Sequence, residues 1–305
     1  MLQCKQSSIL SIVCICLIQI FLFSSCIFED LSDCPQPKKM VNVQILPQWD
    51  AQDDLPDGVR VWFYSINTHK YVQDNFLPQG GETELRSGNY RLILYNNDSE
   101  KIMFRNIASY ETAEAYTSTV LRPSYENPVS GEDTFVQPDK LWSDHIDGFE
   151  VSSKSSVIRF QPRQLVKVFT GKVEVEGLEK VLEVRGAVTG MLGSINLTTE
   201  DADRPSTICF DASTEHDDVL FSFRSFGVFY KGHGTTKHIL SLEFLLPNGI
   251  IQRNVDISNQ MENLLPGGFV EINNKLTIPP DTTGTGGGFN ADVDDWKETI
   301  FHIDI

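Results

Sequence analysis

The chain has 305 residues, with 42 acidic against 25 basic side chains and a formal net charge of −17 at pH 7. That length suits two ordinary domains or one large one, so a sizeable core is within reach. The acidity and the lack of any basic run argue against nucleic-acid backbones as partners and against electrostatic docking on anionic membranes.

The first segment carries a weakly positive start (Met1 amine, Lys5), an apolar run from Ile9 to Phe23, and then Ser24-Ser25-Cys26. A run this short and so flanked reads as a leader rather than a stable span, and small residues before a cysteine fit a signal peptidase groove. Residues 1–25 are therefore predicted to be a lipoprotein signal peptide. Cys26 becomes the acylated N-terminus, and each buried methylene of a palmitate-type chain contributes about 0.8 kcal/mol to attachment. The competing readings are an ordinary secretory leader with a chance cysteine, or an uncleaved anchor. Cleavage leaves 280 residues and, with one lysine and no acid lost, a net charge of −18. Cys4, Cys14 and Cys16 depart with the leader, so Cys34 and Cys209 remain beside the lipid site. They could pair in an oxidising envelope, or Cys209 within STICFDA could be a small buried hydrophobe.

Residues 26–39 are polar, proline-punctuated and without apolar period, and read as a lipidated tether. Short alternating segments follow: VNVQIL (41–46), VRVWFYS (59–65) and YRLILYN (90–96), the last two preceded by turn formers. Alternation puts Val59, Val61 and Phe63 on one face and Arg60, Trp62 and Tyr64 on the other, as a half-buried antiparallel strand requires. SYETAEAYTS, behind a candidate Ser109 cap, predicts one or two helical turns. Beyond Gly148 the alternation resumes in VIRFQP (157–162), LVKVFTGKVEVEG (165–177) and LEVRGAVTGM (182–191). HILSLEFLL (238–246), Pro247-Asn248-Gly249 and IIQRNVDIS (250–258) form the best hairpin, because Asn-Gly accepts positive φ. FVEINNKLTI (269–278) adds a strand, PPDTTGTGGG a flexible spacer, and the chain ends in a strand-like piece from Thr299. Ten to fourteen short strands with few helices predict an all-β fold of two tandem antiparallel β-sandwich domains, 40–152 and 153–280, then a glycine-rich spacer and terminal strand at 281–305.

Signals for chemistry are sparse. No nucleophile elbow, phosphate loop, zinc-protease motif or dinucleotide fingerprint occurs, and no catalytic residue, metal site or cofactor is expected. PDKLWSDH holds Asp139, Trp142, Ser143, Asp144 and His145, but triad members normally come from separated segments, so a surface loop anchored by one buried tryptophan is the better reading. His233 and His238 read as solvated loop histidines. The acidic clusters at Asp201/Asp203 and Asp292/Asp294/Asp295 lack a full calcium-loop pattern.

VRVWFYS, RLILYNND, SYETAEAYT, VLRPSY, LWSDH, AVTGMLGSINL and GGGFNADVDDW together resemble an uncharacterised family of Bacteroidota-type surface lipoproteins related to fimbrillins and fimbrial anchor subunits. The resemblance runs through nearly all of the mature chain. It implies transthyretin-like, fimbrillin-type sandwiches and a non-enzymatic outer-membrane, cell-surface lipoprotein in fimbrial anchoring, assembly or adhesion. Its implied partners are the membrane, through the lipid, and fimbrial subunits or other envelope proteins. Glu29 and Asp30, just after Cys26, stand where such organisms place an acidic export signal. Asp281-Thr282-Thr283 resembles their O-glycosylation triplet, with Thr282 as the acceptor. The competing function is a glycan-binding surface lipoprotein for nutrient capture, with Trp62, Tyr64 and Trp142 as exposed stacking platforms.

Overall fold

The computed structural model describes residues 39–50, 54–152, 157–230, 236–273, 275–279 and 299–301. The N-terminal half supplies β1 (Met40–Pro47), β2 (Val59–Ser65), β3 (Tyr71–Phe76), β4 (Gly81–Arg86), β5 (Gly88–Asn96), β6 (Met103–Arg105), β7 (Glu114–Tyr116), β8 (Thr134–Val136) and β9 (Trp142–Val151). After these come β10 (Val157–Phe160) and β11 (Arg163–Gln164). A three-stranded sheet ordered β10-β1-β4 lies over a five-stranded one ordered β11-β9-β5-β2-β3. Val43, Ile45, Val59, Val61, Phe63, Leu92, Leu94, Ile158 and Phe160 fill the space between them. The alternating apolar residues of β1, β2 and β5 create this layer, since successive side chains of a strand point to opposite faces.

The C-terminal half contributes β12 (Lys167–Glu176), β13 (Glu183–Met191), β14 (Ser194–Asn196), β15 (Ser206–Glu215), β16 (Asp218–Ser225), β17 (Ile239–Leu246) and β18 (Gly249–Asp256). The short helix α1 (Ser258–Met261), β19 (Gly268–Glu271), β20 (Leu276–Thr277) and β21 (Thr299–Phe301) complete it. One ten-stranded sheet runs β19-β12-β16-β15-β13-β17-β18-β21, with β20 beside β12 and β8 beside β15. It closes over a core in which Phe223 stacks on Phe169 and Phe210 at 5.0 and 4.9 Å. The β17–β18 hairpin forms as its sequence predicts, but it turns one residue earlier than Asn-Gly, at Pro247-Asn248, with Gly249 already paired opposite Leu246 and Asn248 not at positive φ. FVEINNKLTI divides into β19 and β20, because β12 advances from Lys172 to Val175 while its partner runs from Glu271 to Leu276.

The expected border at 152/153 is crossed three times. β10 lies beyond it yet pairs in parallel with β1, Gln44 opposite Val157. β8 lies before it yet pairs with β15, Ile208 opposite Phe135. β14 lies beyond it and joins β7, Ile195 opposite Ala115. Met40–Ile305 is accordingly one compact unit. SYETAEAYTS differs from expectation as well: it holds one 3-10 turn (Tyr110–Thr112) and then β7, and Ser109 makes no side-chain cap. Ten residues are too few to be helical without a packed apolar stripe, and strand pairing on both sides of β7 offers more.

Candidate functional site

Cys26, Glu29, Asp30 and Thr282 lie outside the described residues, as do Cys34, His233 and the 292–295 acids. The described part of the chain begins one residue before β1. No helix among the described residues is long and apolar enough to cross a membrane.

The PDKLWSDH stretch is not a loop but the approach and first half of β9. Buried Asn96 fixes its start: its Oδ1 accepts the Trp142 amide at 2.6 Å and its Nδ2 donates to the Lys140 carbonyl at 3.2 Å. Ser143 Oγ is buried and donates to the Leu94 carbonyl at 2.8 Å, which ties it into the sheet. Asp144 accepts the amides of His145 and Gln161, and the His145 ring stands 6.5 Å from Tyr110. A hydroxyl held on a backbone carbonyl next to a carboxylate engaged by amides is sheet architecture, not a nucleophile with its base.

His238 is also not a solvated loop residue. It is buried, its Nδ1 sits 3.3 Å from the Thr189 carbonyl, and burial pushes its pKa down. A side chain on Gly190 (φ +73°) would collide with that ring. Cys209 is a free buried thiol pushed up to about 11 by burial, as a small core hydrophobe.

The aromatics proposed as sugar platforms are interior. Trp62 is 1%, Tyr64 6% and Trp142 7% exposed. Alternation on β2 is as expected, but both faces are covered. Val59, Val61 and Phe63 enter the sandwich core, while Trp62 and Tyr64 enter a second layer with Tyr95, Tyr110, Ile195, Phe226 and Phe229. Half-burial fails because residues from the C-terminal half cap the second face, which no pattern local to β2 records. Trp142 packs edge-on against Trp49 with centroids 5.7 Å apart.

Where that aromatic layer reaches the surface it leaves a cleft of about 190 Å³ bordered by Tyr64, His69, Arg91, Ser109, Tyr110 and Glu111. β2 and β5 place Tyr64 opposite Arg91. The Arg91 guanidinium lies 5.3 Å over the Tyr110 ring and is ion-paired with Glu111, which also accepts Ser109 Oγ at 2.5 Å. The hydrogen bond from Ser109, with Arg91 adding to it, holds the Glu111 carboxyl below its usual range. Tyr64 Oη donates to the Ile107 carbonyl at 3.0 Å and Tyr110 Oη to Asp147 at 2.8 Å. Burial raises the pKa of both phenols, so they stay neutral donors.

Before β8 enters the sheet, residues 122–127 form a strap over the outer face of β13, β15, β17 and β18. Arg122, inside the VLRPSY stretch, donates to the carbonyls of Gly186 at 3.0 Å and Phe210 at 3.2 Å, and its fork stands 3.6 Å from Glu243. Ser124 Oγ donates to Glu243 at 2.9 Å, and Gln252 exchanges two hydrogen bonds with the Glu126 backbone. The signal in the sequence is a charge, Glu243, inside a mostly apolar strand. At the far edge of the same sheet β21 pairs antiparallel with β18, Ile251 opposite Ile300.

The fold is therefore that of a multi-sheet all-β protein whose halves interlock. The chain belongs to the family described as domain of unknown function DUF5119, matched over residues 25–211. It is 27% identical, over 91% of its length and 92% of the relative's, to a Bacteroides ovatus protein named "Putative fimbrium anchoring subunit Fim4B". Among solved structures it is similar to a putative adhesin from Bacteroides ovatus, with TM-score 0.66, 24% identity, and 85% and 98% of the two chains covered.

Proposed function

We propose that this protein is a non-enzymatic, lipid-anchored subunit on the cell surface that seats a fimbria-like assembly on the outer membrane. One observation carries the reading: the similarity to Fim4B extends over nine-tenths of both chains, so it spans the whole architecture rather than one module. The leader ending just before Cys26 supports the lipid, and Glu29 and Asp30 support display on the outer face. From Cys26 to the first residue of β1 the chain advances 14 positions. At about 3.3–3.6 Å per extended residue the tether reaches at most ~50 Å from the bilayer. Fimbrial subunits are the proposed partners, and Thr282 the proposed glycan acceptor.

The test is metabolic labelling with a clickable fatty acid together with gentle cross-linking and pull-down from the native envelope. Cys26→Ser is expected to lose the label and release the protein, while Cys34→Ser keeps it. Label retained on the Cys26 variant, or fimbrial subunits that never co-purify, would overturn the reading.

A further inference from the structure

We propose that the cleft between Tyr64, Arg91 and Tyr110 is a binding site for one neutral sugar ring presented by a glycan. This goes beyond the anchoring role and stands independently of it.

The size comes first. At about 190 Å³ the cleft is smaller than the roughly 300–1,000 Å³ of pockets for drug-sized ligands, so it takes one small ring rather than an extended cofactor. Chemistry then narrows the class. Arg91 and Glu111 stand side by side at the rim, their side chains 37% and 61% exposed. The guanidinium offers N–H donors only and the carboxylate offers acceptors only. Two neighbouring hydroxyls, each a donor and an acceptor at once, can bridge that pair without a net charge of their own. Ser109 Oγ and the exposed His69 ring add two more polar groups on the same rim. Tyr64 and Tyr110 also line the cleft but are almost wholly buried, so the accessible apolar surface is exposed Ile66 beside them, which suits the C–H side of a pyranose.

Charge decides against the alternatives. An acidic sugar or carboxylate would have to displace Glu111 from Arg91 on a chain of net charge −17, and an amine would meet a carboxylate already neutralised by Arg91. Pre-organisation is the remaining argument. Tyr64 is tied to Ile107, Tyr110 to Asp147, Glu111 to Ser109, and Arg91 rests on the Tyr110 ring. Groups already held in place lose little side-chain freedom when a ligand arrives.

The full mature chain, wild type and variants, is titrated by saturation-transfer NMR against galactose, glucose, mannose and fucose, with glucuronate as the acidic comparison. At least one neutral sugar is expected to bind saturably with glucuronate at least tenfold weaker. Arg91→Ala should weaken the neutral sugar tenfold or more. Glu111→Ala should weaken the neutral sugar yet strengthen glucuronate, because it leaves the guanidinium unpaired. Both side chains are partly solvent-exposed, and an unchanged melting curve verifies that the variants fold. Should Arg91→Ala melt early, Ser109→Ala, which removes one rim hydroxyl, takes its place with a threefold loss expected. No saturable binding by any neutral sugar, glucuronate preferred by wild type, or binding unaltered in the folded variants each overturns the proposal.

Discussion

Phe223→Ala is expected to unfold both halves of the molecule together. Phe223 is fully buried in the C-terminal core and stacks on Phe169 and Phe210. Truncating a buried phenylalanine costs about 3–5 kcal/mol, and the loss of two stacked partners places this site near 4 kcal/mol. With an m-value of roughly 3 kcal/mol/M in urea, the top of the range for small proteins, the midpoint falls by about 1.3 M. The informative readout is which half reports it. Trp49, Trp62 and Trp142 all lie in the N-terminal half, so in a Trp296→Phe background fluorescence follows that half alone. If β8 in the C-terminal sheet, β14 beside β7, and the layer joining Trp62 to Phe226 make one cooperative unit, the fluorescence midpoint drops by the same 1.3 M as far-UV circular dichroism. A fluorescence transition left at its wild-type midpoint, with a separate earlier transition by dichroism, would falsify the interlocked fold.

Arg122→Met removes the positive partner from Glu243, whose side chain is 4% exposed, and is expected to cost about 3–5 kcal/mol, whereas a double Arg122→Met/Glu243→Met variant should recover much of it; chemical denaturation checks both. His238 carries a pKa depressed by burial. The unfolded chain therefore binds the extra proton first, and the stability due to neutral His238 is complete above about pH 6.5 and is lost as pH falls from there toward the folded value. The wild-type minus His238→Asn stability difference, measured by urea titration from pH 8 to 5, should be flat above 7 and fall below it; a flat line throughout refutes the assignment. Deleting residues 289–305 frees the edge of β18 where Gln252, Ile251 and Ile250 face β21. Loss of a few net hydrogen bonds at about 0.5–1.5 kcal/mol each predicts a lower melting temperature, and an unchanged melt accompanied by lost envelope partners would show the tail acting between molecules.

What the sequence determined by itself was local. The alternation of VRVWFYS, YRLILYN and HILSLEFLL, and the break at Pro247-Asn248 between β17 and β18, define strands because a two-residue period and a tight turn depend only on neighbouring residues. The STICFDASTE and DVLFSFRS hairpin, β15–β16, follows the same period, with His216 at φ 57° in its turn. The proposed leader and the proposed acylation of Cys26 rest likewise on contiguous residues. Tertiary structure decided the rest, since it concerns residues far apart in the chain. SYETAEAYTS became a strand because β6 and β14 were there to pair with β7. Trp62 and Tyr64 became interior because Ile195, Phe226 and Phe229 covered them. Arg91 met Tyr110 and Glu111 only after β5 and the 3-10 turn were brought side by side. A strand's period states which side chains share a face; whether that face meets water or another part of the chain is fixed only by long-range packing.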